Sequence, residues 1–355
     1  MAKIAIIGDT HFGIRNDNQL IYKDQEKFYS KVFFPYIDEH KIDTVIHLGD
    51  VVDRRKYINY LTNSKLHDIL MQPLFERDLD VHFLVGNHDI YYKDTNSLNA
   101  ISELYGKSAY KFHLYEEPEE VNIHGLDIVM LPWIYDGALQ SSIDFINNAR
   151  ATVLMGHLGL AGFEFDKGHV AEHGLDKKYF DKFDAVYSGH YHHKSSVGNI
   201  HYLGSPNQFT WTDFDDDKGF HVLDTETREI EFIRNPYELF KKFIYNDQGK
   251  TSEEVLNFDP SIYVDTYTKI VVKNKTDPYL FDRVLTKIED AGVHDLKIVE
   301  DHLNLDVLDD EDIIDEAQDT LTILKKFIYS LETDIDKGRV DKFLHDLYTE
   351  AMNIE

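Results

Sequence analysis

Five short apolar runs in this chain each end at a glycine that is followed by a side chain able to bind a metal. "KIAII" leads to "GDTH", "TVIHL" to "GDVVD", "VHFLV" to "GNHD", "ATVLM" to "GH" and "DAVYS" to "GHYHH". The runs are almost continuously apolar, as is typical of strands covered on both faces. Glycine permits a sharp exit, and side chains just past strand ends meet at one edge of an α/β sheet. The pattern predicts an α/β domain with one polar site.

Further patterns extend this domain over about the first 235 residues. "IVML" and "IHYLG" predict two more strands, and apolar residues at helical spacing predict helices over 23–40 and 63–77. Pro73 lies inside the second pattern and predicts a break or a kink there. The fold class that follows is a layered α/β domain.

The polar side chains after the five glycines form a candidate ligand set of Asp9, His11, Asp50, Asn87, His157, His190 and His192. Imidazole nitrogen with carboxylate or amide oxygen, and no sulfur, suits manganese, iron or zinc better than an all-oxygen calcium site. A single Gly-His or Asp-x-His would indicate only a turn or a hydrogen-bonded histidine. Seven ligands exceed the needs of one ion, so we expect two ions that share Asp50, about 3.5–4 Å apart.

Composition limits the setting of this site. Cysteine is absent, which excludes disulfides and thiolate ligands and favours a reducing compartment. No apolar stretch of membrane-spanning length and no secretory leader is apparent, so we expect a cytoplasmic protein with no membrane partner. The formal charge of −28 argues against DNA binding by surface charge alone. Part of the acidic excess lies in "DVLDDEDIIDEAQD" near the C-terminus.

The five motifs, in this order, resemble the signature DxH, GDxxD, GNHD, GH and GHxH of the calcineurin-like metallophosphoesterases. The resemblance implies a layered β-sandwich flanked by helices. It also implies that one ion is held by Asp9, His11 and His192, the other by Asn87, His157 and His190, with Asp50 between them. His88 is implied to be the proton donor to the leaving oxygen, and Asp89 to orient His88 or its loop.

Within that superfamily the chain is similar to the SbcD type of nuclease subunit, which includes the recombination endonuclease subunit of T-even bacteriophages. The narrower resemblance depends on "IIGDTHFGI", "GDVVDRR", "LGSPNQFTW" and "GFHVLDTET". It implies a two-metal DNA exonuclease or endonuclease in double-strand break processing, recombination and replication. The expected cofactor is manganese, with magnesium, iron or zinc as alternatives. The expected partners are DNA and an SbcC-like ABC ATPase with a coiled coil, in a 2:2 complex that contains a homodimer.

Two other function classes use the same residues. A phosphatase or small-molecule phosphodiesterase would need the same metals but no residues beyond a single catalytic domain. A non-catalytic scaffold would be expected to have lost ligands, and all seven are present. The additional residues after 235 therefore favour the nuclease.

Several neighbours of the motifs are candidates with an ordinary alternative. Asp53 either supports a ligand or caps the following helix. Two basic and aromatic segments either grip phosphates and stack bases or form a solvated surface: Arg54, Arg55 and Lys56, and Tyr91, Tyr92 and Lys93. His169 and His173 are interpreted as loop or helix histidines, and other histidines, His47 and His82 among them, receive no role.

After residue 235 the pattern predicts a strand, a helix opened by Asp277-Pro278 and ending near Gly292, and a second strand. By resemblance, residues 236–305 form a capping domain that orients DNA over the metals. Residues 306–355 combine an acidic linker with two amphipathic helical patterns. The resemblance implies that this helix pair docks on the ATPase, and the alternative is that the pair packs on itself or on its own domain.

Overall fold

The computed structural model describes residues 2–300 and 337–340. In chain order the strands are β1 Lys3–Ile7, β2 Thr44–His47, β3 Asp80–Leu84, β4 His113–Tyr115, β5 Glu119–Ile123, β6 Leu126–Leu131, β7 Val153–His157, β8 Glu164–Asp166, β9 His169–Val170, β10 Ala185–Gly189, β11 Ser195–Val197, β12 Ile200–Tyr202, β13 Gly219–Asp224, β14 Ile230–Arg234, β15 Phe240–Asn246, β16 Tyr267–Asn274 and β17 Asp295–Glu300. The helices of the compact part are α1 Gln19–Phe28, α2 Phe34–His40, α3 Tyr60–Leu66, α4 Gln72–Glu76, α5 Ala100–Tyr105, α6 Leu139–Asn148, α7 Ser252–Leu256 and α8 Pro278–Asp290. All seven strands predicted over the first 235 residues are present.

Two six-stranded sheets form the main domain. The first has the order β14-β13-β1-β2-β3-β4, and the second has the order β11-β12-β10-β7-β6-β5. Strands β1 to β4 are mutually parallel, and so are β6, β7, β10 and β12. The carboxyl ends of β1, β2 and β3 therefore lie together in one sheet, and those of β7 and β10 lie together in the other.

The apolar runs are buried on both faces, which explains why they do not alternate with polar residues. In β1, Ile4 and Ile6 join a core that also contains Met130 and Met155 of the second sheet. The side chain of Ala5, which points the other way, joins a core formed with the helices. The second sheet has its own helix-side core. The order of layers is helices, sheet, sheet, helices, so the predicted layered sandwich is confirmed.

The two predicted long helices each contain a π turn placed just before a proline. Tyr29–Phe33 joins α1 to α2 ahead of Pro35, and His67–Met71 joins α3 to α4 ahead of Pro73. Proline has no N–H for the carbonyl four residues back, and its ring crowds that carbonyl. In a π turn the backbone hydrogen bonds join residues five apart, so the chain can pass the proline without ending the helix. The interruption predicted at Pro73 thus occurs without ending the helix.

A three-stranded parallel sheet follows the sandwich, in the order β15-β16-β17. Helix α8 begins where the sequence predicted, because the Asp277 side chain accepts from the N–H groups of Tyr279 and Leu280. Its inner face packs into a separate core with the sheet, through Val284 and Ile288. The predicted strand, helix and strand are confirmed, and β15 is an additional strand that the sequence analysis did not identify.

The domain boundaries stay predictions. The boundary expected at residue 235 falls between β14 and β15, within one compact unit that ends at residue 300. Of the predicted linker and helix pair, 306–355, only 337–340 are described, and they are helical; the amphipathic patterns otherwise lie outside the described residues. Among the helices that the structure describes, each is too short or too polar to span a membrane.

Candidate metal centre

The five glycine-ended strands deliver their polar side chains to one place. Asp9 and His11 follow β1, Asp50 follows β2 and Asn87 follows β3, while the second sheet supplies the rest from the ends of β7 and β10. The chain forms this site because parallel strands present their carboxyl ends at a common edge. All seven predicted ligands lie in or against two adjoining groups of donor atoms.

The first group contains Asp9, His11 and His192, whose nearest ligand atoms lie within 4.8 Å of one another. The Nε2 atoms of His11 and His192 are 2.9 Å apart. Asp9 Oδ1 accepts a hydrogen bond from the N–H of His190 at 2.8 Å, whereas its Oδ2 is buried and lacks a partner among the described residues. A buried carboxylate oxygen without a donor fits a site that a cation completes.

The second group contains Asp50, His157 and His190. Asn87 Oδ1 lies 2.9 Å from His157 Nε2 and 2.9 Å from His190 Nδ1. Asp50 Oδ2 is 3.2 Å from His157 Nε2 and 3.7 Å from His11 Nε2 of the first group. One carboxylate therefore reaches ligand atoms of both groups, the arrangement that a shared ligand requires.

The tautomer of His157 is fixed by the backbone. His157 Nδ1 lies 2.8 Å from the carbonyl oxygen of Leu48, which can only accept, so Nδ1 carries the hydrogen. Its Nε2 is then the atom that faces Asp50 and Asn87. A backbone carbonyl behind a ligating imidazole is a common support in metal sites.

The acidic and imidazole groups of the centre have strongly shifted pKa values. Burial raises the pKa of Asp9 to about 7. Burial would lower the pKa of His157, but the Asp50 and Asp9 carboxylates and the Leu48 carbonyl together raise it to about 9. Burial lowers the pKa of His190 to about 3 and that of His192 well below its usual value, so both rings are neutral. Metal ligands must be deprotonated, so a divalent cation would displace the protons of Asp9 and His157. The neutral rings of His190 and His192 already suit a cation.

The loops that carry the ligands have unusual backbone conformations. Asp9, His11, Asp50 and His190 all have positive φ, at 52°, 43°, 54° and 88°. Such values are uncommon for residues other than glycine, and they concentrate at functional sites where surrounding contacts enforce them. Here the N–H of Asp9 donates to the carbonyl of Gly49, and that of His11 donates to the carbonyl of Asp50. These hydrogen bonds tie the loop after β1 to the loop after β2.

The glycines at the strand ends are required mainly because other residues of the centre pack directly against their backbone. Gly49 has φ of +100°, and a Cβ there would lie 2.7 Å from His157 Nδ1. Gly86 has no such φ, but a Cβ there would lie 2.2 Å from Asp50 Oδ1. A larger residue at position 86 would occupy the space of the shared carboxylate. The sequence-based explanation was therefore correct for Gly49 and incomplete for Gly86.

Asp89 holds two ligand loops together. Its Oδ2 accepts from the N–H groups of Asp50 and Gly86, and its Oδ1 accepts from those of Val51 and Val52. The implied role of orienting its loop agrees with the contact to Gly86. The contacts to residues 50–52, which the sequence analysis did not foresee, place the loop of Asp50 as well.

His88 lies beside the first group. Its backbone N–H donates to Asp50 Oδ1 at 2.8 Å, and its Nδ1 lies 2.6 Å from the carbonyl oxygen of Asp53, so that Nδ1 donates. The ring meets that of His11 edge-on, with centroids 4.8 Å apart. These contacts fix the orientation of the ring through Nδ1.

Asp53 supports His11 and His88 and does not cap the next helix. Its Oδ1 lies 3.6 Å from His11 Nδ1, which is beyond hydrogen-bond reach but close enough for electrostatic attraction. Burial would lower the pKa of His11, and the Asp53 carboxylate contributes to raising it. The cap of α3 is Asn59, whose side chain accepts from the N–H of Thr62. The helix-cap alternative for Asp53 was wrong.

The two basic and aromatic segments contact each other through Arg55, but they contain both side chains held by neighbouring residues and side chains exposed to solvent. Arg54 forms an ion pair with Asp17 at 2.9 Å and donates to Asn16, which ties it to a neighbouring loop. Arg55 donates to the carbonyl of Ile90 and so links the first segment to the second. The remaining predicted residues are exposed: Lys56, Tyr91, Tyr92 and Lys93.

Two histidines that the sequence analysis set aside as loop or helix residues stay away from the two groups. His169 lies on strand β9, so the loop-or-helix interpretation was wrong for it, whereas His173 lies in the loop after β9; both are exposed. Neither belongs to a metal-competent group within the described part of the chain.

Sequence reasoning missed several supporting residues. His47 is buried behind the Gly49 turn, where its Nδ1 accepts from the N–H of Gly49 and burial lowers its pKa to about 3. A histidine inside an apolar run needs a polar partner, and this was the available signal. Lys218 is also buried; it donates to the carbonyl of His192 and pairs with Asp213 and Asp216. No sequence pattern marked it.

A sandwich of two sheets with adjoining His/Asp groups at the strand ends defines a metallophosphoesterase. The model of the family described as calcineurin-like phosphoesterase matches residues 2–194. The chain therefore belongs to the calcineurin-like phosphoesterases, and the resemblance drawn from its five motifs is confirmed together with the hydrolase class. The narrower resemblance is supported by individual relatives.

"Exonuclease subunit 1" of Enterobacteria phage T4 is 30% identical over 354 residues, which cover 98% of this chain and 99% of that protein. The SbcD subunit of the nuclease SbcCD from Staphylococcus epidermidis is 24% identical over 280 residues, or 66% of this chain and 73% of that protein. The solved structure of an archaeal phosphodiesterase covers 66% of this chain and 99% of its own, at 14% identity and a TM-score of 0.33. Both sequence relatives carry names of nuclease subunits, as the narrower resemblance indicated.

Proposed function

We propose that this chain is the nuclease subunit of a DNA-processing complex and that it hydrolyses phosphodiester bonds with two divalent ions. The observation that supports two ions is the position of Asp50, whose Oδ2 faces His157 of one ligand group and His11 of the other. The names of the two relatives support a nucleic acid as the substrate, and the resemblance to the SbcD type favours DNA. Manganese is the ion we expect from the family resemblance, and a donor set of nitrogen and oxygen without sulfur suits manganese, iron or zinc.

Each proposed ion has three ligands of its own and shares the fourth. Asp9, His11 and His192 would hold one, Asn87, His157 and His190 the other, and Asp50 would bridge. When bound, such ions polarise the phosphate and make a nucleophilic water available near neutral pH. Asp89 maintains this arrangement by fixing the backbone of Asp50 through charged hydrogen bonds.

His88 is proposed to protonate the departing sugar oxygen. Its Nδ1–H is committed to the carbonyl of Asp53, so the proton for the leaving group would come from Nε2 of the doubly protonated ring. The carbonyl contact orients the ring without occupying Nε2. Asp53 thereby supports the proton donor through its backbone and His11 through its side chain.

Exposed aromatics in the segments that follow the loops of Asp50 and Asn87 support a nucleic-acid substrate despite the overall negative charge. Tyr57 and Tyr60 are 63% and 96% exposed, and Tyr91 and Tyr92 are 40% and 54% exposed. Large exposed rings next to basic side chains such as Lys56 suit stacking on unpaired bases. Residues 236–305 are proposed to cap this surface and orient DNA. Residues 306–355 are proposed to dock on an ABC ATPase that works with two copies of this chain.

The test is incubation of the full chain with manganese and end-labelled double- and single-stranded DNA, with and without the ATPase subunit. Cleavage of DNA that needs manganese and is stimulated by the ATPase is the expected result. The matched control is Asp50→Asn, which keeps the size of the side chain and removes the shared charge. If no DNA were cut while a phosphomonoester was turned over rapidly, the chain would be a phosphatase with the same metals.

A further inference from the structure

A second cluster of metal-competent side chains lies at the opposite end of the strands that carry the metal centre. Asp80 and His82 are at the start of β3, whereas Asn87 follows its end. His113 begins the edge strand β4 and pairs in register with His82. The ligand atoms of Asp80, His82 and His113 all lie within 4.8 Å of one another.

The Asp80 carboxylate sits between the two imidazoles. Its Oδ2 is 3.2 Å from His82 Nε2, and its Oδ1 is 3.2 Å from His113 Nε2. The imidazole rings are stacked, 4.5 Å apart and inclined by 12°, so the exposed His113 ring must turn out of this stack before both Nε2 lone pairs can point at one ion. Ligands on a tetrahedral zinc ion with bonds near 2.0–2.1 Å stand about 3.3 Å apart, which matches these separations.

His82 carries the strongest evidence for a metal site at this cluster. It is only 4% exposed, and its Nε2 has no hydrogen-bond partner among the described residues, even though Asp80 Oδ2 is 3.2 Å away. The separation of Nε2 from Asp80 Oδ2 is that of an ion pair, and it also suits two ligands of one ion. Its Nδ1 lies 2.7 Å from the hydroxyl of Tyr115, which can accept from Nδ1–H and leave the Nε2 lone pair for a metal.

The surroundings keep His82 in the ligating form and leave room for solvent. Burial lowers the pKa of His82, so the ring is neutral at physiological pH. Asp80 and His113 are about half exposed, so an ion can enter from solvent and retain water. His124 is a neighbour on the second sheet, but its Nε2 already contacts Asp43 and Thr44. Three protein ligands and a water would complete four-coordination.

We propose that Asp80, His82 and His113 form a second metal site that binds zinc or a similar divalent transition metal and joins β3 to the edge strand β4. Two imidazoles and one carboxylate suit zinc better than magnesium or calcium, which prefer all-oxygen sites. The site is separate from the proposed catalytic ions, because it lies at the amino-terminal ends of the strands.

The experiment counts zinc on the full chain. Parent protein, His113→Ala and Asp80→Asn are stripped with chelator, dialysed against zinc sulfate at micromolar free zinc and analysed by atomic emission. Both substituted side chains are partly exposed, so the variants should fold. The control His40→Ala removes an exposed histidine at the end of α2, outside the cluster.

Each of the two cluster variants should bind one zinc fewer per chain than the parent, and His40→Ala should match the parent. The catalytic ligands are intact in all four proteins, so their occupancy cancels in the comparison. Equal zinc counts in the parent and in either cluster variant would overturn the proposal. The count uses no substrate, so a failure to cleave DNA would contradict the proposed function and leave this result unaffected.

Discussion

His88 and Asn87 are adjacent in the chain, but their side chains make different contacts. Asn87 Oδ1 lies within 2.9 Å of nitrogen atoms from two ligand histidines. The His88 ring is instead fixed by the Asp53 carbonyl and by the edge-on contact with His11. This difference agrees with the proposal that Asn87 holds an ion and His88 donates a proton, and the proposal can be tested by mutation.

His88→Ala is expected to keep both ions and to slow DNA cleavage. The backbone N–H that donates to Asp50 Oδ1 is retained in the variant, so the shared ligand stays in place. A positioned general acid is worth about 10²- to 10⁴-fold in rate, and the single-turnover cleavage rate should fall by that factor. Metal content by atomic emission and the cleavage rate on labelled DNA are the two measurements.

An activated aryl phosphodiester provides the control for His88→Ala. Its leaving group needs little protonation, so the variant should hydrolyse it at nearly the parent rate. An equal defect on this ester, or loss of metal in step with loss of activity, would mean that His88 holds the centre together and does not donate a proton.

Gly86→Ala should displace the shared ligand. The added Cβ would lie 2.2 Å from Asp50 Oδ1 and 2.3 Å from the Asp50 nitrogen, so the Asp50 loop must move. We expect loss of metal and a decrease of about 1–3 kcal/mol in the free energy of unfolding, the usual cost of overpacking. Metal analysis and urea unfolding with chelator present measure these two effects separately.

Gly137→Ala is the matched control for Gly86→Ala, because a Cβ there would meet only ordinary contacts with the Tyr135 ring at 3.4 Å or more. It should leave metal content and stability near parent values. If Gly86→Ala behaved like Gly137→Ala, the loops of Asp50 and Asn87 would be less closely packed than described.

At the scale of elements, β13 contains a buried histidine that makes stability depend on pH. His221 is 6% exposed, and burial, followed by the positive charges of Lys194 and His201, lowers its pKa to about 3. The unfolded chain binds a proton near pH 6.5, whereas the folded chain does not. This contribution to stability is therefore complete above pH 6.5 and is lost as the pH falls toward 3.

His221→Leu should remove that dependence. Between pH 6.5 and 4.5 the parent should lose about 2 kcal/mol more free energy of unfolding than the variant does. Urea unfolding at both pH values, with chelator present to exclude metal linkage, gives the difference. Parallel losses in the two proteins would show that His221 titrates normally in the fold.

The elements that the sequence predicted are those with a local signal. Apolar runs predicted the strands at the centre of both sheets, and Asp277-Pro278 predicted the start of α8. Strand β15 was missed because "FKKFIYN" has a mixed pattern, and it is stabilised by a parallel partner some 27 residues later in the chain. The π turns depend on proline geometry that a helical period does not reveal.

The same distinction holds for the metal centre. Its proposed ligands could be selected from the sequence because each lies within three residues after a glycine at a strand end. Asp89, His47 and Lys218 support those ligands through contacts with residues far away or with backbone groups, and residue spacing carries no record of such contacts. The motifs therefore predicted the ligands but not the residues that support them through hydrogen bonds.

At the scale of the whole molecule, the chain ending at residue 300 should fold by itself. Residues 1–300 form one compact unit, and every residue of the metal centre lies within it. A chain truncated after residue 300 should keep the proposed metal binding and a weak intrinsic cleavage of DNA, and lose the proposed association with the ATPase. Thermal unfolding, metal analysis and co-purification test this. Co-purification of the truncated chain with the ATPase would remove the docking proposal for residues 306–355.

The first sheet brings together the two ends of a long stretch of chain. β1 pairs with β13, and Asp9 shares a ligand group with His192. A ribosome adds about 5–20 residues per second, so roughly 10–40 s separate the synthesis of the first of these ligands from that of the last. During that interval the edge of β1 that pairs with β13 has no partner strand, and the metal centre is incomplete. The period of greatest exposure to aggregation is therefore set by the length of the gene between the two motifs, whatever the stability of the finished fold.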